Sequence, residues 1–140
     1  MSKTAVVYWS GTGNTEAMAR AVAEGVKAAG GEADLIFVSD FKAADIAGYD
    51  AIAWGCPAMG AEVLEEAEFE PVFTECKGSL AGKKVVLFGS YGWGDGEWMR
   101  SWESECEGAG ISLAAESLIL NETPDDDGLE QCRALGKALV

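Results

Sequence analysis

The sequence is built from short apolar runs, each followed by a segment with helical periodicity, and this alternation recurs along its 140 residues. In the first such segment, Met18, Val22 and Val26 fall on one helical stripe. Strands that alternate with helices predict a parallel sheet with right-handed crossovers and helices on both faces. The predicted strands are 4–9, 33–38, 51–55, 84–89 and 112–120, and the predicted helices are 15–29, 43–47, 65–76, 97–108 and 127–139.

Five strands in a chain of this length suit a doubly wound α/β fold with the strand order 2-1-3-4-5, formed by a single domain over residues 1–140. In such sheets, ligands bind outside the carboxyl ends of the strands, where the winding direction changes. The loops after the first, third and fourth predicted strands are therefore the candidate binding loops.

Composition narrows what these loops can bind. Asp and Glu total 24 against 10 Lys and Arg, and the resulting net charge of −14 disfavours nucleic acid and anionic membranes as partners. Eight acids and no base lie between Lys42 and Lys77, a pattern that favours basic protein partners but that an ordinary solvated surface also produces.

The residue types in the sequence also argue against a metal site and suggest a cytoplasmic location. The chain has no histidine, and its four cysteines, at 56, 76, 106 and 132, lack the usual metal-binding spacings, so we expect free thiols and no metal site. No apolar run approaches the ~20 residues of a membrane span. The N-terminus does not resemble a signal peptide. We therefore expect a soluble, cytoplasmic chain.

The loop after the first predicted strand has the composition of an anion site without cations. It reads SGTGNT and leads directly into the first predicted helix, whose N-terminal N–H groups can bind an anion together with hydroxyl groups. A helix N-cap after a glycine turn has the same composition, so this alternative remains. The G-x-x-x-x-G-K-[ST] motif of nucleotide hydrolysis is absent, and G-x-G-x-x-G fails at its third glycine. The loop consists of Ser10, Gly11, Thr12, Gly13, Asn14 and Thr15.

The other two loops contain a methionine and a tryptophan in unusual positions. Met59 lies near the tip of GCPAMGAE, residues 55–62, where packing into the core is the alternative role for a methionine. Trp93 lies between two glycines in GSYGWGDGEW, residues 89–98, and such a side chain can stack against a flat ligand. Trp98 and Trp102, four residues apart on a predicted helix, are most simply core residues.

A flat aromatic ring that carries one phosphate would fit the three loops together. With these three loops in this order, the whole chain resembles the short-chain flavodoxins, which are FMN electron carriers of anaerobic bacteria. SGTGNT is similar to their phosphate loop, and GCPAMGAEVLEEAEFEP and GSYGWGDGEWM are similar to their two ring-flanking loops. Residues 112–120, predicted as one uninterrupted strand, match the short-chain rather than the long-chain branch.

The resemblance implies FMN as the cofactor and assigns a role to each loop. The first loop would bind the phosphate, joined by Ser90, while Met59 and Trp93 would cover the inner and outer faces of the ring. Glu62 would approach N3 of the flavin, and the carbonyl group of Gly60 would face a protonated N5. The implied cofactor-binding set is Ser10, Gly11, Thr12, Gly13, Asn14, Thr15, Pro57, Ala58, Met59, Gly60, Ala61, Glu62, Ser90, Tyr91, Gly92, Trp93 and Gly94.

The resemblance further implies a low-potential one-electron carrier and not an enzyme. It would shuttle between semiquinone and hydroquinone and donate electrons to redox enzymes in place of a ferredoxin. The implied partners are basic surfaces of ferredoxin- or flavodoxin-dependent oxidoreductases, with no nucleic acid and no membrane, and the chain would be a monomer. The alternative is a flavodoxin-like NAD(P)H-dependent quinone or flavin reductase.

Overall fold

The computed structural model of the protein describes residues 3–11, 13–59, 64–92 and 96–140. These residues form a five-stranded parallel sheet in the order β2-β1-β3-β4-β5, so the predicted doubly wound α/β fold is confirmed. The strands are β1 Lys3–Tyr8, β2 Glu32–Phe37, β3 Ala51–Gly55, β4 Lys84–Tyr91 and β5 Leu118–Asn121. The helices are α1 Asn14–Ala28, α2 Phe69–Cys76, α3 Glu97–Gly108 and α4 Asp126–Lys137, with 3-10 turns at Val38–Asp40, Ala43–Gly48 and Lys77–Ser79.

The sheet is covered on both faces, because its central strands are apolar on both sides. Every residue of β3 is buried, as expected for a central strand of a doubly wound sheet. On one face, α1 and α4 pack together over a cluster that includes Met18 and Phe88. On the other face, α2 and α3 contribute Phe73 and Trp102 to a larger aromatic cluster around Trp54. The buried positions of Trp98 and Trp102 confirm them as core residues.

The helix predicted over 65–76 starts four residues later, at Phe69. The reason is Glu65, whose buried carboxylate accepts hydrogen bonds from the backbone N–H groups of Ala67, Glu68 and Phe69. These bonds close a non-helical turn with a side-chain acceptor, so the regular helix begins only after them. The short helix predicted at 43–47 is the 3-10 segment Ala43–Gly48.

The uninterrupted strand predicted over 112–120 is wrong. Leu113 makes one isolated parallel bridge with Val85, the chain bends at 114–115, and β5 begins only at Leu118. This segment is at the edge of the sheet, where a strand has a partner on one side only. Its Ala-Ala-Glu-Ser stretch, 114–117, contains no β-branched residue to favour extended backbone. The interruption is thus a four-residue break within the segment.

The parallel strands place the loops that follow β1, β3 and β4 at one edge of the sheet. The winding direction changes between β1 and β3, which are paired neighbours although α1 and β2 separate them in sequence. No helix in the described part of the chain is long and apolar enough to cross a membrane.

Candidate cofactor site

A cavity of about 290 Å³ opens at this edge of the sheet. Its walls are formed at the ends of β1, β3 and β4 and by the loops that follow them, and Glu122, which follows β5, also lines it. None of the described lining residues is Lys or Arg. The lining residues are Trp9, Gly11, Asn14, Pro57, Ala58, Met59, Ser90, Tyr91, Gly92 and Glu122.

The cavity brings together eight of the residues predicted from the sequence, namely Gly11, Asn14, Pro57, Ala58, Met59, Ser90, Tyr91 and Gly92. Ser10, Gly13 and Thr15 belong to the same first loop and helix start but do not line the cavity themselves. The other six predicted site residues are not among those that the structure describes: Thr12, Gly60, Ala61, Glu62, Trp93 and Gly94.

The first loop is closed by the Ser10 side chain. Its hydroxyl oxygen accepts hydrogen bonds from the backbone N–H groups of Gly13 (3.1 Å) and Glu16 (3.3 Å). Gly13 adopts a φ of 96°, in the left-handed region that a glycine enters without a steric penalty. The loop therefore turns sharply into α1, and the Ser10 O–H proton remains available for a further acceptor.

The start of α1 provides further donors. The first intrahelical hydrogen bond runs from Ala17 N to Gly13 O, so the N–H groups of Asn14 and Thr15 lie in the first turn, where helical N–H groups have no intrahelical acceptor. The helix dipole adds partial positive charge at this end. Hydroxyl, amide and N–H groups without a cation form a site that suits an anion such as a phosphate group that is bound but not cleaved.

Thr15 and Ser90 connect this site to the end of β4. Their hydroxyl oxygens are 2.9 Å apart, and the two residues are only 1 % and 5 % exposed. Because they lie 75 residues apart in sequence, the pair depends on the sheet order that places β4 near the start of α1. The sequence suggested each residue separately, and the fold places their hydroxyl groups within hydrogen-bonding distance.

The second loop is anchored to β4 by its backbone. Cys56 N donates to Phe88 O at 3.1 Å, and Ala58 N donates to Ser90 O at 3.0 Å. A Cβ atom at Gly89 would lie 2.1 Å from the carbonyl oxygen of Cys56, so only glycine permits this close approach. Met59 is partly exposed at the cavity and is not a core residue.

Cys56 forms hydrogen bonds at both the start and the end of the second connection. Its sulfur accepts a hydrogen bond from Glu65 N (3.4 Å) and contacts Pro57 O (3.5 Å), while its carbonyl oxygen accepts one from Trp98 Nε1 (3.2 Å). Burial raises the pKa of the Cys56 thiol to about 12, so this group stays protonated and is a poor nucleophile. The four cysteines are buried and free.

Glu65 is the buried acid next to this loop. Burial raises the pKa of its carboxyl group, but the hydrogen bonds from the N–H groups of Phe69, Glu68 and Ala67 outweigh burial and lower the pKa below the ordinary value of 4.5. Glu65 is therefore ionised at neutral pH. The described residues contain no cluster of acids and cysteines arranged to hold a metal ion.

Sequence reasoning missed two lining residues, Trp9 and Glu122. Trp9 is the last residue of the first predicted strand, and its position directly before Ser10 is the one sequence signal that points to the cavity. Glu122 follows β5, and its φ of 54° is the only positive φ of a non-glycine residue in the described chain. Its N–H donates to Tyr91 O at 2.7 Å, which fixes the turn at the rim of the cavity. No sequence signal indicated this position.

The chemistry of the cavity fits a flat aromatic ring with one phosphate group. The apolar atoms of Pro57, Ala58 and Met59 form one wall, and neutral donors lie at the start of α1. The phosphate of FMN needs such donors, and its ring needs apolar walls with few polar groups.

Comparisons with known proteins agree with this geometry. A family model described as Flavodoxin matches residues 6–136. The chain is 48 % identical over 133 residues to a flavodoxin from Megasphaera elsdenii, covering 95 % of both chains. It is 46 % identical to a flavodoxin from Clostridium beijerinckii, covering 96 % of this chain and 97 % of that one. The solution structure of two-electron reduced Megasphaera elsdenii flavodoxin superposes with a TM-score of 0.89 and covers 97 % of both chains.

Proposed function

The chain belongs to the flavodoxin family, and from this premise we propose that it is a low-potential one-electron carrier that binds FMN non-covalently. The match confirms the resemblance that the three loops indicated. Family membership over nearly the whole chain also favours the electron carrier over the NAD(P)H-dependent reductase.

The observation that carries the proposal is a cavity with neutral phosphate donors and an apolar wall. In this proposal, Ser10, Asn14, Thr15 and Ser90 hold the phosphate, together with Thr12, which lies outside the described residues. Met59 lies against one face of the ring. When bound, FMN would supply the one-electron chemistry.

The residues around the cavity disfavour negative charge on the cofactor. No cation lines the described part of the cavity, Glu122 lies at its rim, and Glu65 is ionised behind the second loop. A unit charge at roughly 10 Å costs ~1–2 kcal/mol at an effective dielectric constant near 20. For a one-electron couple, ~1.4 kcal/mol corresponds to ~59 mV. Acids such as these two therefore lower the potential at which the protein accepts its second electron.

We also propose that the protein passes electrons to basic surfaces of redox enzymes and has no catalytic reaction of its own. Glu68, Glu70 and Glu75 are exposed along the segment that leads into and through α2, in the base-free stretch of the sequence. Opposite charge on a partner would accelerate encounter.

The same proposal includes a monomer in the cytoplasm. Val140 is the only large hydrophobic side chain that is exposed among the described residues, which supports the monomer. Four free thiols suit a reducing compartment. A net charge of −14 argues against binding to nucleic acid or to anionic membranes.

Cofactor binding and reduction of the purified protein test this function. The apoprotein should bind one FMN tightly and should bind riboflavin and FAD more weakly, because the neutral donors of the first loop fit one terminal phosphate. Stepwise anaerobic reduction should resolve two one-electron steps. Equal affinity for FAD would contradict the selectivity for FMN, and a single two-electron step with turnover of NAD(P)H and a quinone would establish the reductase.

A further inference from the structure

Two of the loops that bound the cavity follow the neighbouring strands β1 and β3, and among the described residues a side-chain hydrogen bond links these two connections beyond the sheet. At the base, Trp9 N donates to Gly55 O at 3.0 Å and continues the pairing of β1 with β3. Farther along the second connection, Trp9 Nε1 donates to the Glu68 carboxylate at 3.0 Å. This bond joins the residue before the first loop to the residue before α2.

Trp9 is placed to influence what the cavity holds. Its ring lines the cavity, and it lies so close to Gly11 that a Cβ atom there would be 3.0 Å from the ring carbon Cη2. Its other side packs against the core. A change in the orientation of this indole would therefore alter both the cavity wall and the space beside the first loop.

Glu68 is held in place by the turn that precedes α2. Its backbone N–H donates to Glu65 Oε1 at 2.7 Å, and the next residue, Phe69, donates to the same oxygen at 2.8 Å. Phe69 is fully buried and contacts Trp54 and Trp102 in the core. The Glu68 carboxylate thus extends from an anchored backbone and can fix the indole of Trp9.

We propose that the hydrogen bond between Trp9 and Glu68 is a clasp between the connections that follow β1 and β3, and that it slows the release of the cofactor. Trp9 contacts the cavity, and Glu68 is a positioning residue that acts through Trp9. The proposal rests on the proposed function, because it needs FMN in this cavity. Trp9→Phe removes the indole N–H and keeps an aromatic ring, and Glu68→Ala removes the acceptor.

The test measures the rate constant for FMN dissociation from the holoprotein. Glu68→Ala should release FMN about fivefold faster, the factor that one net hydrogen bond represents. Trp9→Phe should release FMN at least as fast, because it removes the same bond and also changes the cavity wall. The double variant should release FMN no faster than Trp9→Phe, because the Glu68 carboxylate acts only through the indole N–H. Glu68→Gln keeps an oxygen acceptor and should stay within about twofold of the unchanged protein. The matched control is Glu66→Ala, since Glu66 is exposed and has no hydrogen bond or ion pair with another described residue.

A spectroscopic measurement on the apoprotein separates the clasp from general loss of stability. Hydrogen exchange of the Trp9 indole proton, assigned by its loss in Trp9→Phe, should be several-fold faster in Glu68→Ala and unchanged in Glu66→Ala. Additive effects in the double variant, or unaltered FMN release in both single variants, would overturn the clasp. Failure of the unchanged protein to bind FMN would overturn the proposed function and the clasp together, whereas unaltered release from a protein that binds FMN would overturn the clasp alone.

Discussion

The connections after β1 and β3 are both closed by a side chain that accepts backbone N–H groups, but the two acceptors differ in charge. After β1, the neutral hydroxyl group of Ser10 accepts two such bonds, and after the second loop the ionised carboxylate of Glu65 accepts three. A hydroxyl group orders a turn without adding charge and retains a proton to donate, whereas a carboxylate binds more strongly but titrates. The phosphate end of the site is thus built from neutral groups, and a buried charge lies at the start of α2.

Removing the charged acceptor should have the largest effect on stability. Glu65→Ala leaves three N–H groups without their acceptor, next to the buried Phe69, and should lower the free energy of unfolding by about 2–4 kcal/mol. Urea denaturation of the apoprotein measures this change, with Glu66→Ala as the control for a lost carboxylate in the same segment. A loss equal to that of the control would show that the backbone closes this turn without Glu65.

Removing the neutral acceptor should affect cofactor binding more than folding. Ser10→Ala should lower the stability of the apoprotein by about 1 kcal/mol, as expected for a turn or cap hydroxyl. It should weaken FMN binding by roughly tenfold or more, because hydrogen bonds to charged groups contribute ~1.5–3 kcal/mol. Riboflavin, which lacks the phosphate, should bind as it does to the unchanged protein. Equal losses for FMN and riboflavin in calorimetry would assign Ser10 to the loop alone.

The two acceptors should also differ in their response to pH, with a smaller effect. The pKa of Glu65 is lower in the folded protein than its ordinary value of 4.5, so its contribution to stability is complete above that value. The contribution is lost as pH falls through the folded-state pKa. Denaturation of the apoprotein between pH 6 and pH 3 should therefore show a shallower acid loss in Glu65→Gln than in the unchanged protein. Parallel curves would mean that Glu65 does not titrate in this range. Ser10→Ala should leave the pH dependence unchanged.

The alternation of apolar and amphipathic segments was sufficient to predict the architecture. It gave the bounds of β3 and α3 as 51–55 and 97–108, because a fully apolar run and a regular helix with two glycine-flanked ends are clear local signals. It failed where a tertiary contact decides the local structure. The start of α2 depends on the Glu65 carboxylate, and the edge segment before β5 has too few partners to remain extended.

The binding loops, like the fold, could be predicted from the sequence where local patterns decide the structure. Hydroxyl and glycine residues before a helix indicated the anion site, and the strand order then brought Ser90 to Thr15. Trp9 and Glu122 were missed because their roles depend on where side chain and backbone lie in three dimensions. A tryptophan at a strand end and a glutamate after an edge strand carry no local pattern that distinguishes a cavity wall from ordinary surface.

The response of FMN affinity to salt tests the central claim most directly, because that claim is a phosphate held by neutral groups. Salt screens attraction between opposite charges, so a phosphate site built on Lys or Arg loses affinity as ionic strength rises. Calorimetric titration of the apoprotein with FMN from about 20 mM to about 500 mM salt covers a roughly 25-fold range of ionic strength. FMN affinity should be unchanged or higher at the upper end of this range, since salt also screens repulsion from a chain of net charge −14. A steep loss of affinity with salt, with riboflavin binding unaffected, would contradict the account.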